Sequence, residues 1–179
     1  MRATLIATIG PCGAGKTTWR HRHAPAGAEV VSLDEIRAEL SPCGCSSDQA
    51  VNAAAVEIGT ARTRAVLASG GTVVWDTTGY LARFRTHMLG LAAEYHARTV
   101  GLVVLPPLLT VLARNGRRDP TVCPRCGFAR RVPEHRVWAM HRAITDAVPR
   151  LHTEGWHELH FLALPHHLRT HQPRREEIR

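Results

Sequence analysis

Apolar residues along this chain form two alternating patterns. Short, nearly continuous runs rich in Val, Ile and Leu are typical of strands that are buried on both faces of a sheet. These runs are ATLIATI, AEVVSLD, TVVWD, TVGLVVL and HELHFLAL. Between them lie stretches whose apolar residues recur every three or four positions, as on one face of a helix. The alternation predicts an α/β fold with a doubly wound parallel sheet and flanking helices.

The predicted helices occupy most of the sequence between the strands. They are KTTWRHRH, DEIRAEL, DQAVNAAAVEIGTARTRAVLASGG, YLARFRTHMLGLAAEYHA, PLLTVLARN and VPEHRVWAMHRAITDAVPRL. Gly70 and Gly71 are expected to end the third helix, and Pro133 suits the first turn of the last. A chain of 179 residues fits a single domain. We predict one domain over residues 1–165 and a polar C-terminal tail over residues 166–179.

One stretch interrupts the alternation of strand and helix. Residues 114–131, RNGRRDPTVCPRCGFARR, contain six arginines and show no apolar periodicity. An arginine-rich loop between two helices suits a cover over a phosphate-binding site. We therefore predict a lid at about residues 114–132.

The composition is basic, with a formal net charge of +8 and a pI near 10.2. Such a charge suits a polyanionic partner such as nucleic acid, although a solvated arginine-rich surface has the same composition. No run approaches the ~20 apolar residues of a membrane span, and no signal-peptide pattern precedes the first strand. The sequence predicts a cytoplasmic protein without a membrane partner, and it leaves the oligomeric state open.

The strongest motif is GPCGAGKT, between the first strand and the first helix. Its G-x-x-x-x-G-K-T spacing lets backbone N–H groups turn toward a phosphate, which the helix N-terminus also attracts. Lys16, the only lysine of the chain, would reach the β- and γ-phosphates, and the Thr17 hydroxyl would ligate Mg²⁺. The motif predicts a site for ATP or another nucleoside triphosphate, formed by Gly10, Gly13, Ala14, Gly15, Lys16, Thr17 and Thr18.

Two acidic residues end predicted strands. Asp34 ends the second strand, and Arg37 follows three positions later on the same face of the next helix. Because ligands bind at the carboxyl edge of a parallel sheet, this pair is a candidate acceptor site, although an N-cap aspartate beside a solvent-exposed arginine is the plainer alternative. Asp76 ends the third strand and is a candidate substrate-binding residue and Mg²⁺ ligand, directly or through water.

The cysteines form two close pairs in predicted loops. CPRCG at residues 123–127 has the form of a zinc knuckle, and CGC at residues 43–45 offers a second pair. If the loops meet, Cys43, Cys45, Cys123 and Cys126 would make a four-thiolate zinc site. Free thiols and a redox pair are the alternatives. We expect no chemistry from Cys12, in the phosphate-binding loop.

Together these strings resemble the kinase domain of the bacteriophage-type 5′-polynucleotide kinases, within the group of small P-loop kinases that includes zeta toxins. The resemblance extends to about residue 150. It is carried by GPCGAGKT, SLDEIR, VVWDTTGYLARFR and LARNGRR followed by RRVPEHRV. Many NTPases share the first string, whereas D-x-x-R and the pairing of R-N-x-x-R with a later V-P-E are more selective.

The resemblance implies Mg²⁺-dependent transfer of the γ-phosphoryl of ATP to the 5′-OH of RNA or DNA. In the family pattern Asp34 would be the general base, and Arg37 would bind a phosphate of the acceptor. Arg114 would support the nucleotide, and Arg118 would act catalytically, with Lys16, on the transferring phosphoryl group. Arg85 would lie near the acceptor.

Two features depart from this family pattern. DTTG stands where many relatives have D-x-T-N, so Gly79 lacks a side-chain amide, and PTVCPRCGFA expands the lid. A kinase for a small molecule such as a nucleoside, sugar, antibiotic or nucleotide-sugar is one alternative function. A nucleotide-dependent module that binds nucleic acid is another.

Overall fold

The computed structural model describes residues 2–165 and residue 168. Its sheet has five strands in the order β2-β3-β1-β4-β5, and every neighbouring pair is parallel. The strands are β1 (Thr4–Ile9), β2 (Glu29–Ser32), β3 (Thr72–Asp76), β4 (Arg98–Val104) and β5 (Glu158–Leu162). The prediction of an α/β fold with a parallel sheet is confirmed.

Six α-helices connect and flank these strands within the described residues. They are α1 (Lys16–His23), α2 (Leu33–Leu40), α3 (Asn52–Ala68), α4 (Ala82–Glu94), α5 (Leu108–Gly116) and α6 (Glu134–Ala147), and a short 3₁₀ helix (Val148–Thr153) follows. Gly70, with φ of 75°, ends α3 as predicted. Pro133 takes the N-cap position immediately before α6 rather than a place inside its first turn.

Both faces of the central strands are covered, which explains their continuous apolar runs. Leu5 and Ile9 of β1 have no exposed surface. They belong to the main core together with Met88 and Leu91 of α4. On the opposite face, Leu102 and other β4 residues pack near α1. A strand buried on both sides needs apolar residues at every position rather than alternating ones.

The strand order places a crevice at one end of the sheet. β1 lies between β3 and β4, so the connections that leave β1 and β3 diverge at their carboxyl ends. Ligands of open parallel sheets bind at such a point because two diverging loops leave a crevice between them. The loop at residues 10–15 and the loop after β3 both begin there.

Asp34 lies inside a helix rather than at the end of a strand. β2 ends at Ser32, which is the N-cap of α2, and the Ser32 hydroxyl accepts a hydrogen bond from the Glu35 N–H at 3.5 Å. Asp34 and Glu35 follow in the first turn, where the helix dipole favours acidic side chains. The prediction that β2 extends to Asp34 is therefore wrong, and so is the alternative that Asp34 caps the helix.

Residues 117–132, here called the arginine-rich segment, form an irregular excursion between α5 and α6. The lid was predicted from about residue 114, whereas α5 continues to Gly116 and the segment begins after it. Asn115 is completely buried and joins the two ends of the segment: its Nδ2 donates to the Val132 carbonyl at 2.7 Å, and its Oδ1 accepts from the Val132 N–H at 3.2 Å. This contact joins the Asn of R-N-x-x-R to the Val of V-P-E in this chain.

Two further predictions concern membrane-spanning helices and the C-terminal tail. No helix in the part of the chain that the structure describes is long and apolar enough to cross a membrane. The predicted tail at residues 166–179 lies outside the described residues except for Leu168.

Candidate active site

The loop after β1 curves tightly around an open cavity of about 610 Å³. The Gly10 N–H donates to the Thr78 carbonyl at 2.9 Å, which ties the loop to the end of β3. A Cβ atom at Gly10 would lie 2.5 Å from the Val104 carbonyl oxygen, so no side chain fits there. Gly13 has φ of 85°, and a Cβ atom on it would lie 2.8 Å from the Val111 carbonyl oxygen. These two positions require glycine because neighbouring backbone is too close.

Residues 13–18 of the predicted nucleotide site line this cavity, together with Arg114 and Arg118. The Arg114 guanidinium donates to the Ala14 carbonyl at 3.1 Å and so packs over the loop. Arg118 is half-buried, and its positive charge adds to the effect of burial in lowering the pKa of Lys16. The structure therefore brings both arginines to the loop, although Arg114 lies in α5 and Arg118 lies in the arginine-rich segment.

The Lys16 ammonium is held over the loop. Its Nζ donates to the Gly10 carbonyl at 2.8 Å and to the Pro11 carbonyl at 3.1 Å. Burial lowers the pKa of Lys16, while the negative charges of Cys12, Asp76 and Asp34 act in the opposite direction. Lys16 thus lies within the electrostatic reach of both acidic residues that the sequence singled out.

Asp76 lies beside the loop at the end of β3. The Thr8 hydroxyl donates to its Oδ1 at 3.2 Å, and the Arg20 guanidinium lies 3.2 Å from its Oδ2. Burial raises the pKa of Asp76, and the charges of Lys16 and Arg20 oppose that rise. Because Arg20 is only 7% exposed, it is a fixed counter-charge for this carboxylate.

The oxygen donors near Asp76 fit a magnesium ion. Mg²⁺ prefers carboxylate, hydroxyl and water oxygens. Asp76 offers a carboxylate at the end of β3, and Thr17 offers a hydroxyl in the first turn of α1. Since Arg20 already faces one oxygen of Asp76, contact with the ion through water fits this carboxylate better than direct ligation.

Asp34 and Arg37 lie together on the first turns of α2. Their side chains form an ion pair, in which Asp34 is 72% exposed and Arg37 only 11% exposed. Arg37 Nε also donates to the Ser46 carbonyl at 2.8 Å, and its Nη1 donates to Asn52 Oδ1 at 2.9 Å. Asp34 therefore faces solvent near Lys16, while three groups of the protein orient the arginine behind it.

Arg85 is buried and held by groups of the protein itself. It is 3% exposed, and its guanidinium donates to the Glu154 carboxylate at 2.7 and 2.6 Å. Its Nη1 donates to the carbonyls of Gly79 at 2.8 Å and Tyr80 at 3.3 Å. These contacts join the loop after β3 to the end of the 3₁₀ helix.

We expect Arg85→Met to lower the free energy of unfolding by about 3 kcal/mol, because it leaves the Glu154 carboxylate without its buried partner. Denaturant unfolding measures this change. Arg98→Met is the matched control, since Arg98 and Glu158 form an exposed pair, and the expected change is below about 1 kcal/mol. Unchanged stability together with a raised KM for the acceptor would instead make Arg85 a substrate contact.

The four paired cysteines meet in space. The Sγ atoms of Cys43, Cys45, Cys123 and Cys126 all lie within 4.8 Å of one another. The hydrogen bond between Ser41 and Cys43 lowers the pKa of Cys43 to about 6, whereas hydrogen bonds that the Cys45 thiol donates to Cys43 and Cys123 raise the pKa of Cys45 to about 12. The two cysteine loops therefore meet, which is the condition that a four-thiolate site requires.

Several residues of the site were not singled out from the sequence. Arg20 pairs with both Asp76 and Glu35, and Asn52 holds Arg37. One signal was present for Arg20, which lies four positions after Lys16 and therefore on the same side of α1. Asn52 and Glu154 lie 15 and 69 residues from the arginines that they bind, and no local pattern connects them.

Comparisons with known proteins place this arrangement in a family. The model of a family described as an AAA domain matches residues 5–146. No curated protein matches the sequence.

Several solved structures share the fold. One, the Pnkp1/Rnl/Hen1 RNA repair complex, matches with 18% identity and a TM-score of 0.66 over 81% of this chain and 45% of the other. A putative kinase from Chloroflexus aurantiacus matches with 18% identity and a TM-score of 0.54 over 64% of each chain. Shikimate kinase from Acinetobacter baumannii matches with 19% identity and a TM-score of 0.50 over 87% of this chain and 82% of the other. The chain thus spans less than two thirds of the first two of these proteins, and identities this low establish the fold alone.

Proposed function

From the premise that this chain belongs to the AAA domain family and has the fold of P-loop kinases, we propose that it transfers the γ-phosphoryl of ATP to the 5′-OH of RNA or DNA. The observation that carries the proposal is a phosphate-binding loop with the Lys16 ammonium held over it and the Asp76 carboxylate beside it, while the exposed Asp34 pairs with Arg37 on α2. A base facing solvent beside a phosphate-binding lysine suits attack by an acceptor hydroxyl on a bound nucleotide.

On the donor side, the N–H groups of residues 13–18 would bind the phosphates of ATP. Lys16 would exchange its contacts with the Gly10 and Pro11 carbonyls for phosphate oxygens. Thr17 and Asp76 would hold Mg²⁺, whose charge offsets that of the phosphates. Arg118 would stabilise the charge of the transferring group, and Arg114, fixed on the Ala14 carbonyl, would support the nucleotide.

On the acceptor side, Asp34 would accept the proton of the attacking hydroxyl, whose oxygen forms the new bond to phosphorus as the bond to the β-phosphate oxygen breaks. Its exposure leaves room for an acceptor. Arg37 would bind a phosphate of that acceptor, since a guanidinium donates two parallel hydrogen bonds to phosphate oxygens. The arginine-rich segment would close over the site as a lid and keep water out during phosphoryl transfer.

A polynucleotide acceptor is supported by the positive net charge of the chain and by its structural similarity to an RNA repair complex. The net charge is +8, and the arginine-rich segment contributes five of the basic residues. The RNA repair complex, with a TM-score of 0.66, is a structure in which a chain of this fold acts in RNA repair.

The decisive experiment offers ATP labelled at the γ-phosphate to a panel of acceptors. The panel contains a 5′-hydroxyl RNA, a 5′-hydroxyl DNA, the same strands carrying a 5′-phosphate, and small hydroxyl compounds. We expect label on the 5′-hydroxyl strands only. Transfer to a small compound and to neither strand would establish the small-molecule alternative. Strand binding without any transfer would establish the binding-module alternative.

We also expect the KM for a 5′-hydroxyl strand to rise with salt. If Arg37 and the segment contact about four phosphates of a single strand, KM should rise about 50-fold between about 50 and about 200 mM salt, because counterion release is lost. The KM for ATP, measured in parallel, controls for general effects of salt on the enzyme. A KM for the strand that changes no more than that for ATP would contradict recognition of the polynucleotide backbone.

A further inference from the structure

The paired cysteines form a compact cluster that the proposed transfer reaction does not use. Their four Sγ atoms lie within 4.8 Å of one another. A tetrahedral zinc site with zinc–sulfur bonds of about 2.3 Å has sulfur atoms about 3.8 Å apart. The observed cluster therefore needs only small side-chain adjustments to close around one ion.

Each cysteine pair lies on a turn that holds its ligands in place. In the arginine-rich segment, the Gly127 N–H donates to the Cys123 carbonyl at 2.9 Å, and the Cys123 N–H donates to the Phe128 carbonyl at 3.0 Å. Gly127 has φ of 73°, which suits glycine. This is the tight hairpin by which two thiolates in a C-x-x-C-G string can face one ion.

The second pair lies in the loop at residues 41–48, after α2. The Gly44 N–H donates to the Ser41 carbonyl at 2.9 Å, and Gly44 has φ of 69°. The Ser41 hydroxyl donates to the buried Asp48 carboxylate at 2.7 Å and lies 3.1 Å from Cys43 Sγ. Two separate turns thus present four sulfurs to one point, an arrangement that free thiols do not require.

From this geometry we infer that Cys43, Cys45, Cys123 and Cys126 bind one zinc ion that fastens the arginine-rich segment to the loop at residues 41–48. Four thiolates match the ligand set of closed, structural zinc sites. The Arg125 guanidinium, which donates to the Pro42 carbonyl at 3.3 Å, already links the same two segments.

The zinc ion would connect the segment to the acceptor side of the active site. The loop at residues 41–48 contains Ser46, whose carbonyl accepts the Arg37 Nε hydrogen bond at 2.8 Å. The two ends of the segment are joined through Asn115, and the cysteines lie near its middle. With its ends joined and its middle fastened to the loop, the segment and the loop move together, so the ion fixes the position of Arg37 as well as that of the segment. This last consequence rests on the proposed function, whereas zinc binding does not.

Elemental analysis of the full chain, purified without chelators, tests the metal site. We expect close to one zinc per chain in the wild type and less than ~0.2 in Cys123→Ser. Cys12→Ser is the matched control and should keep its zinc, because Cys12 lies outside the cluster. Replacement of zinc by Co²⁺ should give the absorption bands of a tetrahedral thiolate complex.

Less than ~0.2 zinc in the wild type, or iron in its place, would overturn the proposal. So would a titration of the unfolded, unreduced wild type that finds fewer than the five thiols of the chain, since the cluster would then hold disulfides. Because Cys123→Ser could fail to fold, the wild type is also stripped with a chelator. Adding zinc back should raise its Tm, and an unchanged Tm would contradict a structural site.

The kinetic consequence has its own readout. Removal of zinc should raise the KM for the acceptor while the KM for ATP changes little. If no acceptor is phosphorylated, the proposed function fails, but the zinc content and the Tm still decide the metal site.

Discussion

Lys16→Met should lower kcat/KM for phosphoryl transfer by about 10³-fold or more. The ammonium is the only lysine charge of the chain and lies over the loop, near Asp34 and Asp76. Removing one preorganised donor to a developing charge typically costs a factor of about 10² to 10³, and loss of the full positive charge costs more. Methionine keeps the length of the side chain, so the change removes the charge and the donors rather than the packing.

Steady-state kinetics with labelled ATP measure this loss, and calorimetry reports whether the nucleotide still binds. Arg98→Met is the control. Arg98 is the first residue of β4 and so lies at the end of the sheet opposite the phosphate-binding loop. Lys16→Arg keeps the charge and should still lose activity, since a planar guanidinium does not replace a compact ammonium against the phosphates. A value of kcat/KM within tenfold of the wild type for Lys16→Met would remove Lys16 from the catalytic set.

Asp34→Asn should lower kcat by a factor of about 10² to 10⁴, which is the usual contribution of a general base. Asparagine has the same shape and keeps an oxygen that can accept from Arg37. The local structure of α2 should therefore persist, and the affinity for ATP should be unchanged. The loss should fall on kcat because the base acts only while the proton is leaving the acceptor hydroxyl.

Single-turnover measurements with saturating ATP and acceptor give the rate of the chemical step for Asp34→Asn. Glu39→Gln is the matched control: Glu39 lies on the same helix and pairs with Arg62 at an exposed position. It should retain full activity. A rate for Asp34→Asn equal to that of the wild type would refute the assignment of the base and leave positioning as the source of catalysis.

The two sides of the site differ in how they are held. On the donor side, backbone contacts fix the loop. The Gly10 N–H donates to the Thr78 carbonyl, and the Val104 carbonyl leaves no room for a side chain at Gly10. On the acceptor side, Arg37 depends on Ser46 and Asn52, which lie in and after the loop that contains two of the cysteines. Changes to that loop should therefore affect the acceptor before the nucleotide.

Local patterns were sufficient for much of the fold and for the donor site. The central strands β1, β3 and β4 are mostly apolar because both faces of the sheet are covered there, so their positions could be predicted without knowing their neighbours. The phosphate-binding loop is one continuous string, and its geometry depends on glycines within that string. The end of β2 was misplaced because Ser32 ends the strand as the cap of a helix.

The sequence by itself determined the order of strands and helices, the phosphate-binding loop and the pairs of residues that lie within one turn of each other, such as Asp34 and Arg37. Only the tertiary structure decided that Arg85 binds Glu154, that Asn115 holds Val132 and that the two cysteine loops meet. The physical reason is distance along the chain. Local conformation follows from neighbouring residues, whereas the partner of a buried charge or thiol depends on which segments the packed sheet brings together.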